Sequence, residues 1–192
     1  MTTPIGFALQ PFGGASERQA LGLQRVEISG EVAVERCGEE ALLRISYRLV
    51  AQQGSNPEAV LIPAPVEQPG RRDGLWQHTC LEAFVGAVDG AAYWEVNLAP
   101  SGDWALYRFD GYRDGQHSPP ITGMPFGVEP ASDHLLCRLV FPLPRELAAA
   151  SQLTVGISAV LEQRNGSMSY WALHHPGSEA DFHRRDGFTL RL

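Results

Sequence analysis

The sequence has little basic charge, and that charge is not gathered in one place. Its 192 residues carry a formal charge of -7, and Arg71-Arg72 and Arg184-Arg185 are the only basic doublets. Proteins that bind nucleic acids depend on clustered Lys and Arg side chains, which neutralise phosphates. We therefore expect this protein to have no nucleic-acid partner.

Long apolar runs and paired cysteines are also lacking. No stretch is apolar over the roughly 20 residues that a membrane-spanning helix needs, and the chain does not start with basic residues followed by an apolar run, as a signal peptide would. Cys37, Cys80 and Cys137 lie far apart, without the CxxC spacing of metal or haem-attachment sites. We expect free thiols in a reducing compartment, and therefore a cytoplasmic protein with no membrane partner.

The pattern that dominates the sequence has a period of two. Apolar and polar residues alternate over 26–34 and 43–49, which is typical of strands with one face in the core. Turn residues such as Asp89-Gly90 separate further candidates. The further predicted strands are 58–62, 80–86, 91–99, 104–110, 134–141, 153–161, 168–173 and 187–192.

Helical patterns are scarce. Twenty glycines and fourteen prolines favour turns, and one short helix is predicted, over residues 144–150. Residues 1–192 contain no internal repeat or low-complexity linker, so we expect a single all-β domain. The predicted fold is a two-sheet β-sandwich of immunoglobulin-like or jelly-roll type with about ten strands. Residues 111–131, rich in Gly and Pro, are expected to form a long loop.

One segment, YWEVNLAPSGDWALYRFDGYR at 93–113, mixes aromatic rings with hydrogen-bonding groups. A hairpin that turns at Ser101-Gly102 would place Glu95 opposite Arg108 and put Trp94 on an apolar face. Its other face would carry Tyr93, Glu95, Asn97, Trp104, Leu106, Arg108 and Asp110. A shift of one residue in the register would exchange these assignments.

The polar face of this hairpin has two interpretations. It is either a solvated outer surface with a Glu95–Arg108 pair worth under about 1 kcal/mol, or a surface that presents rings beside polar groups to a ligand. Glu82, on the preceding strand, lies between apolar neighbours and needs a partner such as Asn97 or Arg108. A buried Glu–Arg–Asn network that fixes the strand order would satisfy it equally well.

Aromatic rings beside carboxylates, amides and guanidinium groups suit sugars. A sugar ring has an apolar face that stacks on an aromatic plate and a rim of hydroxyls that bind polar side chains. Trp76 precedes a predicted strand and Trp171 follows a turn, so both are expected to be exposed, whereas Trp94 is expected in the core.

Three segments resemble the DOMON-like domains that are related to family 9 carbohydrate-binding modules. They are LWQHTCLEAFVG, YWEVNLAPSGDWALYRFDGYR and YWALHHPGSEADFHRRDGFTLRL, and the similarity spans roughly residues 70–113 and 168–192. The resemblance implies a β-sandwich and a non-catalytic, sugar-binding function. Because the sugar-binding modules are usually attached to secreted glycosidases, the missing export signal favours a small intracellular sugar or a sugar nucleotide over a polysaccharide.

The resemblance also implies roles for individual residues. In the sugar-binding modules two tryptophans clamp a terminal sugar and a glutamate holds its hydroxyls, and the matching positions here are Trp76, Trp171 and Glu82. Asn97 and Arg108 lie in the neighbouring hairpin without an aligned role. The predicted ligand-binding residues are Trp76, Glu82, Glu95, Asn97, Arg108 and Trp171.

Other functions remain open from the sequence. Some relatives in the superfamily bind haem b through Met and His, and some hold calcium; Met124 or Met168 with one of six histidines could ligate haem. Glu82 and Glu95 could act as a glycosidase pair, and the chain could be a protein-interaction module. A metal site could form from His174, His175, Asp181 and His183. We expect no enzyme activity, no catalytic residue, no metal ligand and no cofactor.

Overall fold

The computed structural model describes residues 3–23, 25–51 and 60–192 of the chain. Within these residues there are twelve strands and two short α-helices, α1 (Gly14–Ala20) and α2 (Arg145–Ala148). None of the helices in this part of the chain is long and apolar enough to cross a membrane. The strands are β1 (Ile5–Ala8), β2 (Gln10–Pro11), β3 (Val26–Cys37), β4 (Glu40–Ala51), β5 (Cys80–Ala87), β6 (Tyr93–Leu98), β7 (Trp104–Phe109), β8 (Phe126–Pro130), β9 (His134–Pro142), β10 (Leu153–Glu162), β11 (Met168–Ala172) and β12 (Leu190–Arg191).

The strands form two antiparallel sheets. One has five strands in the order β1-β3-β4-β9-β8. The other has seven, in the order β2-β11-β10-β5-β6-β7, with β12 paired to β10. The apolar faces of both sheets contribute to one core cluster, for example Ile45 and Leu139 from the first sheet and Val96 and Ile157 from the second. The predicted two-sheet β-sandwich is therefore confirmed.

The seven-stranded sheet is covered on its outer face as well. Phe84, Tyr93 and Phe109 form a second apolar cluster there, and Phe188 from the C-terminal part of the chain packs against it. At Gly156 a Cβ atom would lie 2.7 Å from the Phe188 ring, so the absence of a side chain lets this ring approach β10. The central strands of this sheet are consequently buried on both faces, whereas alternation alone predicts strands with one face exposed to solvent.

Strand predictions are confirmed within about two residues for β5, β6, β7, β9, β10 and β11. The predicted strand at 187–192 is reduced to β12, which follows a single 3-10 turn at Arg185–Gly187. The prediction at 58–62 lies partly outside the described residues, and Val60 forms one isolated bridge with Gln163. All three cysteines are free, as expected.

The elements that the sequence patterns missed are short or lack a buried face. Helix α1 buries none of its residues, so it has no apolar stripe to reveal it, and the prediction of a single helix is wrong. Strand β2 has only two residues, and β8 lies inside the stretch predicted as one long loop. Such elements depend on pairing with a neighbour rather than on their own hydrophobic period.

The predicted register of the β6–β7 hairpin is wrong by one residue. Tyr93 pairs with Phe109 and Trp94 with Arg108, so Glu95 lies opposite Tyr107. The cause is a three-residue turn at 100–102, where the Ala99 N–H donates to the Asp103 carbonyl at 2.9 Å and Gly102 adopts φ 98. This register puts Arg108 on the face opposite to Glu95 and Asn97, and the predicted Glu95–Arg108 pair does not form.

Candidate functional site

An open groove of about 1230 Å³ lies beside the β6–β7 turn. Its walls come from residues 61–64, 72–79 and 116–118, together with the β6–β7 turn and Glu162 at the end of β10. We call it the Trp76 groove, because the ring of that residue is the largest exposed aromatic surface in its lining.

Trp76 lies on a 3-10 turn, Leu75–Gln77, that begins after Gly74. Gly74 has φ 75, a left-handed conformation that glycine adopts readily. Leu75 packs on the outer cluster of the seven-stranded sheet, which leaves the next side chain directed away from it. Trp76 is 53% exposed, whereas the other three tryptophans are buried. The prediction of an exposed ring at Trp76 is confirmed.

The charged groups of the groove are held in pairs. The Arg72 Nε lies 3.0 Å from Asp103 Oδ2, and the His78 Nδ1 lies 2.9 Å from Glu162 Oε2. The Tyr107 hydroxyl donates to Asp73 Oδ1 at 2.6 Å. Burial, and then this hydrogen bond to Asp73, raise the pKa of Tyr107 well above its ordinary value. These contacts restrain the polar side chains of the lining.

A second polar region lies on the outer face of the seven-stranded sheet. Glu82 on β5 pairs with Asn97 on β6 and with Ser158 on β10, so the three side chains form a row across the strands. The Ser158 hydroxyl donates to Glu82 Oε2 at 2.9 Å, and the Asn97 amide donates to Glu95 Oε1 at 2.6 Å. We call Glu82, Glu95, Asn97 and Ser158 the buried polar row.

The surroundings of this row raise the pKa values of its two carboxyl groups. Burial, with a smaller contribution from the charge of Glu95, raises the pKa of Glu82 to about 8. Burial also raises the pKa of Glu95 to about 7, against the opposing hydrogen bond from Asn97. His183 Nε2 lies 3.8 Å from Glu95 Oε2, and burial lowers the pKa of His183 to about 4. Desolvation therefore disfavours the charged form of each group.

The C-terminal part of the chain covers the buried polar row. His183 Nδ1 lies 2.8 Å from the Tyr93 hydroxyl, and Arg113 holds Asp181 at 2.9 Å. Glu82, Glu95 and Asn97 are 2%, 5% and 0% exposed. Glu82, Glu95 and Asn97 therefore do not lie on an exposed surface that presents them to a ligand, because the protein's own side chains cover them. Their role in ligand binding stays a prediction.

The two remaining predicted residues lie elsewhere. Arg108 donates to Glu146 Oε1 at 3.1 Å and to Asp110, and Glu146 also accepts a hydrogen bond from the Trp94 indole. Trp171 is 1% exposed, and its indole N–H donates to the Ser169 hydroxyl. The prediction of an exposed Trp171 is wrong because its strand directs this ring into the core. Trp76 and Trp171 therefore do not form two open plates.

Several candidate ligands of the alternative metal and haem sites have partners elsewhere in the protein. His175 Nε2 lies 3.0 Å from the Gln10 carbonyl, and Asp181 and His183 have the partners given above. In the part of the chain that the structure describes, no three His, Cys, Asp or Glu residues are grouped so that they could hold a metal ion. Met124 belongs to the core cluster and Met168 lies on β11. The expected absence of cofactors and the haem alternative both stay predictions.

Most residues of the groove were not predicted as ligand contacts. Asp73-Gly74 is a turn signal just before Trp76, and the polar segment that follows could have directed attention to His78. The predicted register would place Tyr107 on the apolar face with Trp94, whereas the observed register pairs it with Glu95. Glu162 gave no signal, because only the pairing of β10 with β5 brings it beside the 3-10 turn.

The comparisons with known proteins agree on the fold. No family model matches the sequence, and no curated protein matches it significantly. Solved structures that resemble it include a proposed carbohydrate-binding protein from Bacteroides uniformis ATCC 8492, with a TM-score of 0.63, 12% identity, and coverage of 96% of this chain and 84% of that one. The predicted likeness to carbohydrate-binding proteins is thus confirmed as a likeness of fold.

Two family 9 carbohydrate-binding modules from Caldicellulosiruptor kristjanssonii are also among the similar structures. The module in complex with glucose has a TM-score of 0.47 and 7% identity over 86% of this chain and 75% of that one. The module in complex with cellotriose has a TM-score of 0.42 and 8% identity over 77% of this chain and 65% of that one. The DOMON-like part of the predicted resemblance stays a prediction.

Proposed function

We propose that this protein is a non-catalytic carbohydrate-binding domain whose ligand lies in the Trp76 groove. The observation that carries the proposal is the exposed Trp76 indole on a wall of fixed polar groups. An indole of this kind offers a flat apolar surface to the C–H face of a sugar ring. The fold shared with a proposed carbohydrate-binding protein supports the same conclusion.

The polar lining supplies the complementary chemistry. Carboxylates accept hydrogen bonds from hydroxyl groups, and each retains acceptor sites beyond its present partner. Asp73 and Glu162 lie in the same lining as Trp76, so a sugar stacked on the ring has acceptors near its rim. Because Tyr107 and His78 already hold these carboxylates, little ordering is required when a ligand binds.

The first experiment screens the purified protein on a glycan array and measures each hit by calorimetry. The Trp76→Ala variant should weaken binding by about tenfold or more, since stacking and lost contact area together exceed about 1.4 kcal/mol. Tyr170→Ala removes an exposed ring outside the groove lining and is the matched control. Binding that survives Trp76→Ala unchanged would contradict the proposal.

The tryptophans give a second measurement. Trp76 is exposed and Trp94, Trp104 and Trp171 are buried, so iodide quenching of tryptophan fluorescence should report mainly on Trp76. A bound sugar should protect this fluorescence, and Trp76→Phe should remove both the quenching and the protection. Sugar binding without any protection would place the ligand elsewhere on the protein.

A further inference from the structure

We propose that the Trp76 groove binds an internal stretch of an oligosaccharide without acidic groups, rather than the end of a chain or an acidic sugar; this rests on the carbohydrate-binding function proposed above. The first observation is size. Pockets that enclose one small molecule usually measure roughly 300–1,000 Å³, and the groove measures about 1230 Å³. It therefore has room for more than one sugar unit.

The second observation is that the described part of the lining offers one open aromatic plate, the Trp76 ring. A clamp around a terminal sugar needs two rings that face each other, one for each side of the sugar. Trp171, the expected partner, lies in the core, and Tyr107 is buried with its hydroxyl on Asp73. One plate contacts one face of a sugar unit, and the units before and after it can continue along the groove.

The third observation is the charge of the lining. Among the lining residues that the structure describes, Arg72 is outnumbered by the carboxylates Asp73, Asp103 and Glu162, which gives a formal charge of -2 when the histidines are neutral. Arg72 is itself paired with Asp103. A uronic acid or a sugar phosphate would therefore meet an excess of negative charge, and it would compete with Asp103 for the Arg72 guanidinium.

The fourth observation is that the lining combines hydrogen-bond acceptors with an imidazole ring. Asp103 accepts from the Gly70 N–H at 3.0 Å as well as from Arg72, and it is buried. Glu162 faces His78 Nδ1, which leaves the Nε2 of the exposed His78 ring available to a ligand. An imidazole nitrogen and the remaining carboxylate acceptor sites match hydroxyl groups, which both donate and accept.

The test compares chains of one to six units with native and with chemically reduced ends, using the neutral sugar that scores highest on the array. We expect affinity to rise about tenfold between two units and six, and to change by less than about twofold when the end is reduced. Binding that is lost on reduction, or equal for one unit and six, would overturn this proposal and leave carbohydrate binding intact. A protein that binds no glycan at all would overturn the proposed function as well.

A charge variant tests the preference for neutral over acidic chains. Glu162→Lys removes the excess negative charge of the lining, so the affinity for a uronate chain should rise at least about fivefold relative to the neutral chain. Glu129→Lys makes the same change in net charge on β8, outside the groove lining, and should leave the ratio unchanged. Equal responses to the two substitutions, or a wild-type preference for uronates, would contradict the argument from charge.

Discussion

The Trp76 groove and the buried polar row contain the same kinds of residue, but the groove is open to solvent and the row is buried. In the groove, Asp73 and Glu162 are held by the Tyr107 hydroxyl and by His78, and they face an open volume. In the row, Glu82 receives a hydrogen bond from Ser158 and is shut away from water. Side chains that are paired and accessible can exchange water for a ligand, whereas buried ones first have to be uncovered.

The comparison shows why distance along the sequence is a poor guide to a shared surface. Trp76 and Glu82 are six residues apart, yet a 3-10 turn directs the first to solvent while β5 places the second under the C-terminal part of the chain. We therefore expect the row to contribute to stability and its dependence on pH, whereas we propose the groove as the site of binding.

The largest expected difference in stability is between Ala variants of Trp76 and Trp171, the two tryptophans of the predicted clamp. Trp171→Ala leaves a large cavity in the core, and we expect the free energy of unfolding to fall by about 3–5 kcal/mol. Trp76→Ala removes an exposed ring and should change it by less than about 0.5 kcal/mol. Chemical denaturation followed by circular dichroism measures both. Similar losses for the two variants would mean that Trp76 is part of the packed structure.

The buried polar row should make the protein less stable in mild alkali. Because the pKa values of Glu82 and Glu95 are raised in the folded state, their stabilising contribution is complete below pH 4.5 and is lost as the pH rises through about 7 to 8. His183 is neutral in both states above pH 6.5. We therefore expect the free energy of unfolding to fall between pH 6.5 and 8, as measured by denaturation at each pH.

Glu82→Gln isolates the cause of this alkaline loss. Glutamine keeps an acceptor for Ser158 but cannot ionise, so the slope between pH 6.5 and 8 should become shallower. Glu146→Gln is the control: the pKa of Glu146 is lowered by its partners Trp94 and Arg108, against burial, and its ionisation is complete below this range. An unchanged slope in Glu82→Gln would show that the row does not govern alkaline stability.

The sequence predicted the sandwich because alternation is local and repeats in every long strand. It predicted the exposed Trp76 because a loop position before a strand leaves a ring without neighbours. It could not predict the hairpin face, since one additional turn residue at 100–102 exchanges Tyr107 and Arg108 between the two faces. The cover over Glu82 depends on contacts between residues about 100 apart, such as His183 with Tyr93, which no local pattern records.

At acidic pH, protonation of His183, which covers the buried polar row, should lower the free energy of unfolding by a smaller amount. Its folded pKa, lowered to about 4 by burial and then by Arg113, means that its contribution is present above pH 6.5 and is lost as the pH falls through 4. The groups that face it are Tyr93, Glu95, Asp181 and Arg113. We expect wild type to lose stability relative to His183→Gln over this window.

The quantity to measure is the difference in the free energy of unfolding between wild type and His183→Gln. Glu82 and Glu95 change stability in the opposite direction over part of the same pH range, and the difference removes their effect. Imidazole signals in proton NMR give an independent value, and the signal missing from His183→Gln identifies the residue. A His183 resonance that titrates near 6.5 would show that the C-terminal part of the chain does not hold this ring in a dry environment.

Substitution of Arg108 should have the smallest effect on stability and on sugar affinity, although the sequence predicts this residue as a ligand contact. It is bound to Glu146 and Asp110 at the surface and is absent from the groove lining, so Arg108→Ala should lower the free energy of unfolding by at most about 1 kcal/mol. Sugar affinity should stay within about twofold of wild type, because the register turns this guanidinium away from Glu95. Arg108→Lys keeps the charge and controls for long-range electrostatics. A tenfold loss of affinity in Arg108→Ala, measured by calorimetry, would place the ligand on the opposite face of the hairpin.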